Sequence, residues 1–336
     1  MPEPDSGGER LAPTAPFFPL ETPPEAPAVT ERQPASETID KDSWRRALVE
    51  RYGPDFDKVP AEYTYSQAPE KLQAASKEGD RLSDLLIYNN EIRNEAGHLI
   101  AEVIARGGHI GVGYGDITNL KPANDKYDRW KFGDPVISAN VARATKEIKS
   151  LDLRAQVLFF KPPLGSDEYI MLFLDTTPED DQKIKEAMMK LNQPDEPLKI
   201  KDKDNRDRPY AISSANAYLS SRDLEAGGVQ DIDEARDEYS RAKELIKPFG
   251  DESSTHFSLR KIFDKMIEWG DRAVHRIKET TEREFPIDDT EIASRSPNEL
   301  EEIIVRELGG MRVTDETLRR IFQLALRKGR EELGLK

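Results

Sequence analysis

The chain has 336 residues, contains no cysteine and carries a formal net charge of −15, with 36% hydrophobic and 34% charged residues. The absence of cysteine excludes disulfides, thiolate catalysis and cysteine-ligated zinc or iron–sulfur sites. The negative charge opposes non-specific attraction to nucleic acid and to anionic membranes, and no apolar run approaches the roughly 20 residues that a membrane-spanning helix needs.

The first 40 residues form a proline-rich acidic segment without periodic apolar positions. Such a segment buries too little apolar surface to offset its chain entropy, which predicts a disordered tail over 1–40. One short segment, Pro16–Leu20, places two aromatic residues between prolines. This pattern suits either a linker or a docking motif for the groove of a partner protein. The candidate docking residues are Phe17, Phe18 and Leu20.

Ordered structure is predicted to begin near residue 41, with a short helix in a helical or linker segment over 41–74. A longer amphipathic helix is predicted from about Arg81 to Arg106, because apolar residues recur there at helical spacing. A pair of glycines then ends the helix.

The next segment alternates glycine with Ile110, Val112 and Tyr114. Glycines inside a strand indicate close approach of another element, so we predict a strand with one tightly packed face. A dinucleotide-binding glycine loop follows a strand and opens a helix. These glycines follow a helix and precede Ile117–Pro122, which is poor helix sequence, so strand or turn glycines are favoured over a nucleotide loop.

Two apolar runs, 155–161 and 169–175, are joined by a short link that contains proline and glycine, which predicts a β-hairpin. Both runs are apolar at successive positions, so both faces of their sheet need cover. The helix before the glycine strand and a helix over about 178–191 are the candidate covers, and a further strand pair is expected around Lys201–Asp207. These elements predict a small α+β domain over 75–215, with a mixed sheet and covering helices.

Known site patterns are incomplete in this chain. Asp202 and Asp204 resemble the start of a calcium loop, but Asp207 occupies the position that requires glycine. Glu95 and His98 form one half of a carboxylate-bridged metal motif whose second half is missing. No nucleophile–base set or phosphate loop is found. The sequence therefore assigns no catalytic, cofactor-binding or metal-binding residue, and no cofactor is expected.

From residue 229 the pattern becomes helical, which predicts a mainly α-helical C-terminal domain over 229–336 after a linker over 216–228. The last two helices, over 296–334, resemble a helix-turn-helix outline. The second helix carries arginines and a glutamine, which suit contact with DNA phosphates or base edges. Nearby glutamates instead favour a helix face that is exposed to solvent. The candidate nucleic-acid contacts are Arg319, Gln323, Arg327 and Arg330.

These patterns together favour a cytoplasmic, non-enzymatic scaffold or regulatory protein that binds a protein partner. One alternative is a DNA-associated regulator that uses the helix pair at 296–334. A second alternative is an enzyme of an unfamiliar family with a site near Gly111–Asp116.

Overall fold

The structure is a computed structural model, and the residues that it describes are 42–118, 120–127, 129–162, 166–196, 198–201, 207–248 and 257–280. These ranges contain nine α-helices and seven β-strands. The helices are α1 (Ser43–Tyr52), α2 (Glu70–Ser76), α3 (Asn90–Ala105), α4 (Leu120–Tyr127), α5 (Asp134–Lys149), α6 (Pro178–Leu191), α7 (Ser221–Ala226), α8 (Asp233–Ile246) and α9 (Arg260–Thr280). The strands are β1 (Leu86–Ile87), β2 (Ile110–Ile117), β3 (Gln156–Lys161), β4 (Glu168–Leu174), β5 (Leu198–Lys201), β6 (Asp207–Tyr210) and β7 (Ser214–Ser220).

Five strands form the central sheet in the order β1-β3-β4-β2-β7. Strand β1 runs parallel to β3, and the other neighbours are antiparallel. Strands β5 and β6 form a separate two-stranded antiparallel sheet. A mixed sheet with covering helices confirms the predicted α+β class.

The predicted hairpin is present as β3 and β4, which pair antiparallel with Phe159 opposite Met171. Side chains alternate between the two faces of the sheet. One face packs against α5 and α6 and buries Phe159, Met171 and Phe173. The opposite face packs against α3, α8 and α9 and buries Phe160 and Leu172 among others. Both faces are therefore covered, as the continuous apolar runs required.

The glycines of β2 let large side chains from the neighbouring strands cross over its backbone. A Cβ atom on Gly115 would lie 2.3 Å from Cζ of Tyr169 and 2.5 Å from Oδ1 of Asn216. A Cβ atom on Gly111 would lie 2.1 Å from the hydroxyl oxygen of Tyr218. The predicted close packing of one strand face is confirmed, and the other face carries Ile110 and the alternate residues that follow it.

Two helix boundaries differ from those predicted. Helix α3 begins at Asn90 rather than near Arg81, because the Asn89 side chain accepts a hydrogen bond from the backbone N–H of Ile92 and caps the helix there. Ile117–Pro122 was expected to be poor helix sequence, yet α4 begins at Leu120. Proline is tolerated in a first helical turn, where backbone N–H groups have no partner within the helix.

Helices α8 and α9 share a core with the central sheet. Tyr239 of α8 and Phe263 and Met266 of α9 are buried in the same apolar cluster as the strands. Residues 216–228, which were predicted to be a linker, contain most of β7 and all of α7, and they contribute Ala217, Leu219 and Leu224 to this core. The division of the chain into domains stays a prediction, since 281–336 and 1–41 lie outside the described residues.

Candidate functional site

A cluster of acidic groups lies at one edge of the central sheet, where β2 ends and the β3–β4 hairpin turns. Asp116 is the next-to-last residue of β2, and its register partner on β4 is Glu168. Asp167 directly precedes β4. Antiparallel pairing therefore brings together carboxylates from two distant parts of the chain, and we treat this edge as the candidate site.

Asp116 is the most deeply buried carboxylate of this edge, with 8% of its surface exposed. Its Oδ1 atom is buried and makes no hydrogen bond within the described residues. Its Oδ2 atom accepts a hydrogen bond from Nζ of Lys278 on α9. A buried acceptor without a partner carries a desolvation cost, so Asp116 has one oxygen available to a bound group.

The surroundings of Asp116 oppose its ionisation. Burial raises its pKa to about 7, and the negative charge of Asp167 adds to this rise. Lys278 acts in the opposite direction. Glu168 is half-buried, and its Oε2 atom accepts a 2.8 Å hydrogen bond from the hydroxyl of Ser166. Asp116 and Asp167 thus lie close enough to interact, and Lys278 of α9 provides a cation beside Asp116.

A second lysine, Lys161, donates hydrogen bonds from inside the sheet to the backbone next to β4. Lys161, the last residue of β3, is completely buried. Its Nζ atom donates hydrogen bonds to the backbone oxygens of Ser166, at 2.5 Å, and Glu168, at 2.7 Å. Burial lowers the pKa of Lys161 to about 8, against the opposing effect of Asp80, Asp167 and other nearby carboxylates. Lys161 therefore holds the backbone on either side of Asp167.

Helix α4, which follows β2 in the chain, carries another buried acceptor without a partner. Oδ1 of Asn124 is buried and has no hydrogen-bond partner among the described residues. The side chain packs so closely on Gly133 that a Cβ atom there would lie 2.4 Å from this oxygen. Asp116 Oδ1 and Asn124 Oδ1 are thus two buried acceptors that lack a donor within the described residues.

The acidic groups suit a cation that is shared with a ligand rather than a cation held by the protein alone. Within the described ranges, no three or more histidine, aspartate or glutamate side chains are arranged to hold a metal ion together. Mg²⁺ is commonly bound by one or two carboxylates together with phosphate oxygens and water. The pair Asp116 and Asp167 fits that second arrangement.

The sequence assigned none of these residues to a site. Its candidate docking residues (Phe17, Phe18 and Leu20) and nucleic-acid contacts (Arg319, Gln323, Arg327 and Arg330) lie outside the described residues. The acidic edge does lie at the end of Gly111–Asp116, where the second alternative placed an enzyme site. The available signal was the Ser166–Asp167–Glu168 run in the hairpin turn, which was treated only as a link between strands.

No helix in the described part of the chain is long and apolar enough to cross a membrane. No protein-family model and no curated protein matches the sequence.

Several solved structures resemble the chain at low sequence identity. A sensory box/GGDEF family protein from Caulobacter crescentus is 16% identical, and the match has a TM-score of 0.35 and covers 61% of this chain and 99% of that one. Diguanylate cyclase SiaD from Pseudomonas aeruginosa, solved with its activator SiaC, is 14% identical, with a TM-score of 0.31 and coverage of 53% and 62%. A microbial GGDEF domain solved with bis-(3′,5′)-cyclic di-GMP is 18% identical, with a TM-score of 0.26 and coverage of 52% and 94%.

These comparisons correct the predicted function. A non-enzymatic scaffold that binds a protein partner, with a DNA-associated regulator as its alternative, was expected. That expectation is wrong, because the solved structures that resemble the chain include GGDEF proteins and a diguanylate cyclase. The lack of a familiar catalytic set led to the scaffold prediction, but carboxylates that come together only through strand pairing form no local motif in the sequence.

Proposed function

We propose that the chain binds the phosphate groups of a nucleotide, together with a divalent cation, at the acidic edge formed by Asp116, Asp167 and Glu168. The observation that carries the proposal is the buried Oδ1 atom of Asp116, which has no partner in the described residues and lies beside a second carboxylate. A carboxylate oxygen in this state is stabilised by a cation, and a cation coordinated by only two carboxylates keeps positions open for phosphate oxygens.

The geometry of the edge supports this role. The end of β2 and the start of β4 lie side by side inside the sheet, and Lys161 donates hydrogen bonds to the backbone oxygens of Ser166 and Glu168 on either side of Asp167. Rigid elements position charged groups more reproducibly than long loops do. When bound, a divalent cation would neutralise phosphate charge here, while Asp116 and Asp167 would anchor it.

The guanine nucleotides are the first ligands to test. The five residues from Gly165 read Gly-Ser-Asp-Glu-Tyr, and three of these letters agree with the GGDEF motif for which the resembling structures are named. One of those proteins is a diguanylate cyclase and another was solved with cyclic di-GMP. We therefore propose GTP or cyclic di-GMP as the ligand class, with turnover of GTP as the corresponding enzymatic form of the proposal.

The test is isothermal titration calorimetry of the full chain with a non-hydrolysable GTP analogue and, separately, with cyclic di-GMP, in Mg²⁺ and in EDTA. We expect binding of the GTP analogue in Mg²⁺ that weakens at least about tenfold in EDTA and in Asp116→Asn and Asp167→Asn, because each change removes cation coordination. Incubation with GTP and Mg²⁺, followed by chromatography of the nucleotides, measures turnover directly.

Asp237→Asn is the matched control, since Asp237 is exposed on α8 and its replacement removes the same charge away from the acidic edge. This control should bind like the wild type, and circular dichroism should show that all variants are folded. Equal affinity in Mg²⁺ and EDTA, or wild-type affinity in Asp116→Asn, would refute the proposed site.

A further inference from the structure

The last described turn of α9 places a lysine directly on the candidate cation site. Nζ of Lys278 donates to Oδ2 of Asp116, and the two side chains are only 17% and 11% exposed. Asp116 lies on the face of β2 that α9 covers, in line with Ile110, Val112 and Tyr114. The carboxylate that we assign to a divalent cation is therefore already in contact with a cation of the chain itself.

This ion pair leaves the site incompletely satisfied. The ammonium group of Lys278 takes one oxygen of Asp116, and Oδ1 stays buried without a partner in the described structure. A buried ion pair stabilises a fold only when the remaining hydrogen-bonding positions of both groups are also satisfied. Stability of the fold therefore explains the Lys278–Asp116 ion pair poorly. A function of Lys278 at the candidate cation site explains it better.

The attachment of α9 does not depend on Lys278. Upstream of it, Ile262, Phe263, Met266 and Val274 are fully or almost fully buried against the sheet and the neighbouring helices. Ile277 also packs against this core, whereas Lys278 is partly exposed. The flexible side chain of Lys278 can therefore leave Asp116 by rotation about its own bonds while α9 stays in place.

We propose that Lys278 is a tethered cation that competes with the divalent cation for Asp116, so that the position of the Lys278 side chain controls nucleotide binding. This inference rests on the proposed function. The lysine ammonium and a divalent cation repel each other when both approach the same carboxylate, so one displaces the other. Asp116 keeps a cationic partner in both states, which avoids leaving a buried carboxylate uncompensated during the exchange.

The test measures binding of Mn²⁺ to the full chain by electron paramagnetic resonance of the free ion, first alone and then with the non-hydrolysable GTP analogue. We expect Lys278→Met and Lys278→Gln to bind Mn²⁺ at least about tenfold more tightly than the wild type, and Lys278→Arg to bind it weakly like the wild type. Lys265→Met is the matched control, because Lys265 lies on the same helix and pairs with Glu234 and Glu268 rather than with the site.

The possible outcomes separate this inference from the proposed function. Tighter binding in Lys278→Met but not in Lys265→Met supports the competition. Equal binding in the wild type and Lys278→Met, with loss of binding in Asp116→Asn, overturns the competition and leaves the proposed site intact. Absence of Mn²⁺ and nucleotide binding from every folded variant overturns both.

Discussion

Lys161 provides a sharp test of the charge arrangement in the hairpin. The side chain is completely buried, and burial lowers its pKa from 10.5 to about 8. Between these two pH values the folded protein has released the proton of Lys161, whereas the unfolded chain still binds it. The unfolded state then binds more protons, so the free energy of unfolding must rise with pH across this window.

The size of the effect follows from the two pKa values. Their difference corresponds to about 3 kcal/mol over the full window, and about 2 kcal/mol of this falls between pH 7.5 and 9.5. Replacement by methionine removes the titrating group. The free energy of unfolding of the wild type should therefore gain about 2 kcal/mol relative to Lys161→Met when the pH is raised from 7.5 to 9.5.

The assay is urea unfolding at both pH values in EDTA, followed by circular dichroism, for the wild type, Lys161→Met and the control Lys199→Met. Lys199 is exposed on β5, so its replacement should leave the pH dependence of the wild type unchanged. The same pH dependence in the wild type and in Lys161→Met would refute the burial of a charged Lys161 beneath the hairpin turn.

Three further predictions concern the scaffold. Phe173→Ala and Phe159→Ala should each lower the free energy of unfolding in urea by about 3–5 kcal/mol, because both rings are buried between the sheet and its helices. A loss below about 1 kcal/mol would contradict that packing. Gly115→Ala should cost about 1–3 kcal/mol, because its Cβ atom would lie 2.3 Å from the ring of Tyr169, and a neutral effect would show that the strands are farther apart. Asn89→Ala should cost about 1 kcal/mol through the lost helix cap, and wild-type stability would place the start of α3 elsewhere.

Elements with local signals were predictable from the sequence. The hairpin combines two apolar runs with a proline- and glycine-containing link, and α6 begins at Pro178 after the capping residue Thr177. The start of α3 was misplaced because Leu85 and Leu86 extend the apolar periodicity of the helix, although Leu86 belongs to β1. Periodicity alone does not distinguish a short buried strand from a helical turn.

The candidate site depends on long-range pairing, which no local pattern encodes. Asp116 and Asp167 become neighbours only when β2 pairs with β4, and Lys278 reaches them only when α9 packs across the sheet. The apolar stripe of α9 predicts that one face is buried, but it does not identify the surface that buries it. The burial that raises the pKa of Asp116 and leaves its Oδ1 atom without a partner likewise exists only in the folded chain.

The most direct test of the proposed function is a crystal structure of the protein with Mn²⁺ and a non-hydrolysable GTP analogue, using anomalous scattering to locate the metal. The account predicts an anomalous peak coordinated by Asp116 and Asp167, with phosphate oxygens completing the coordination and Lys278 withdrawn from the carboxylate. A nucleotide bound elsewhere, or a site in which Lys278 still contacts Asp116 and no metal is present, would contradict it.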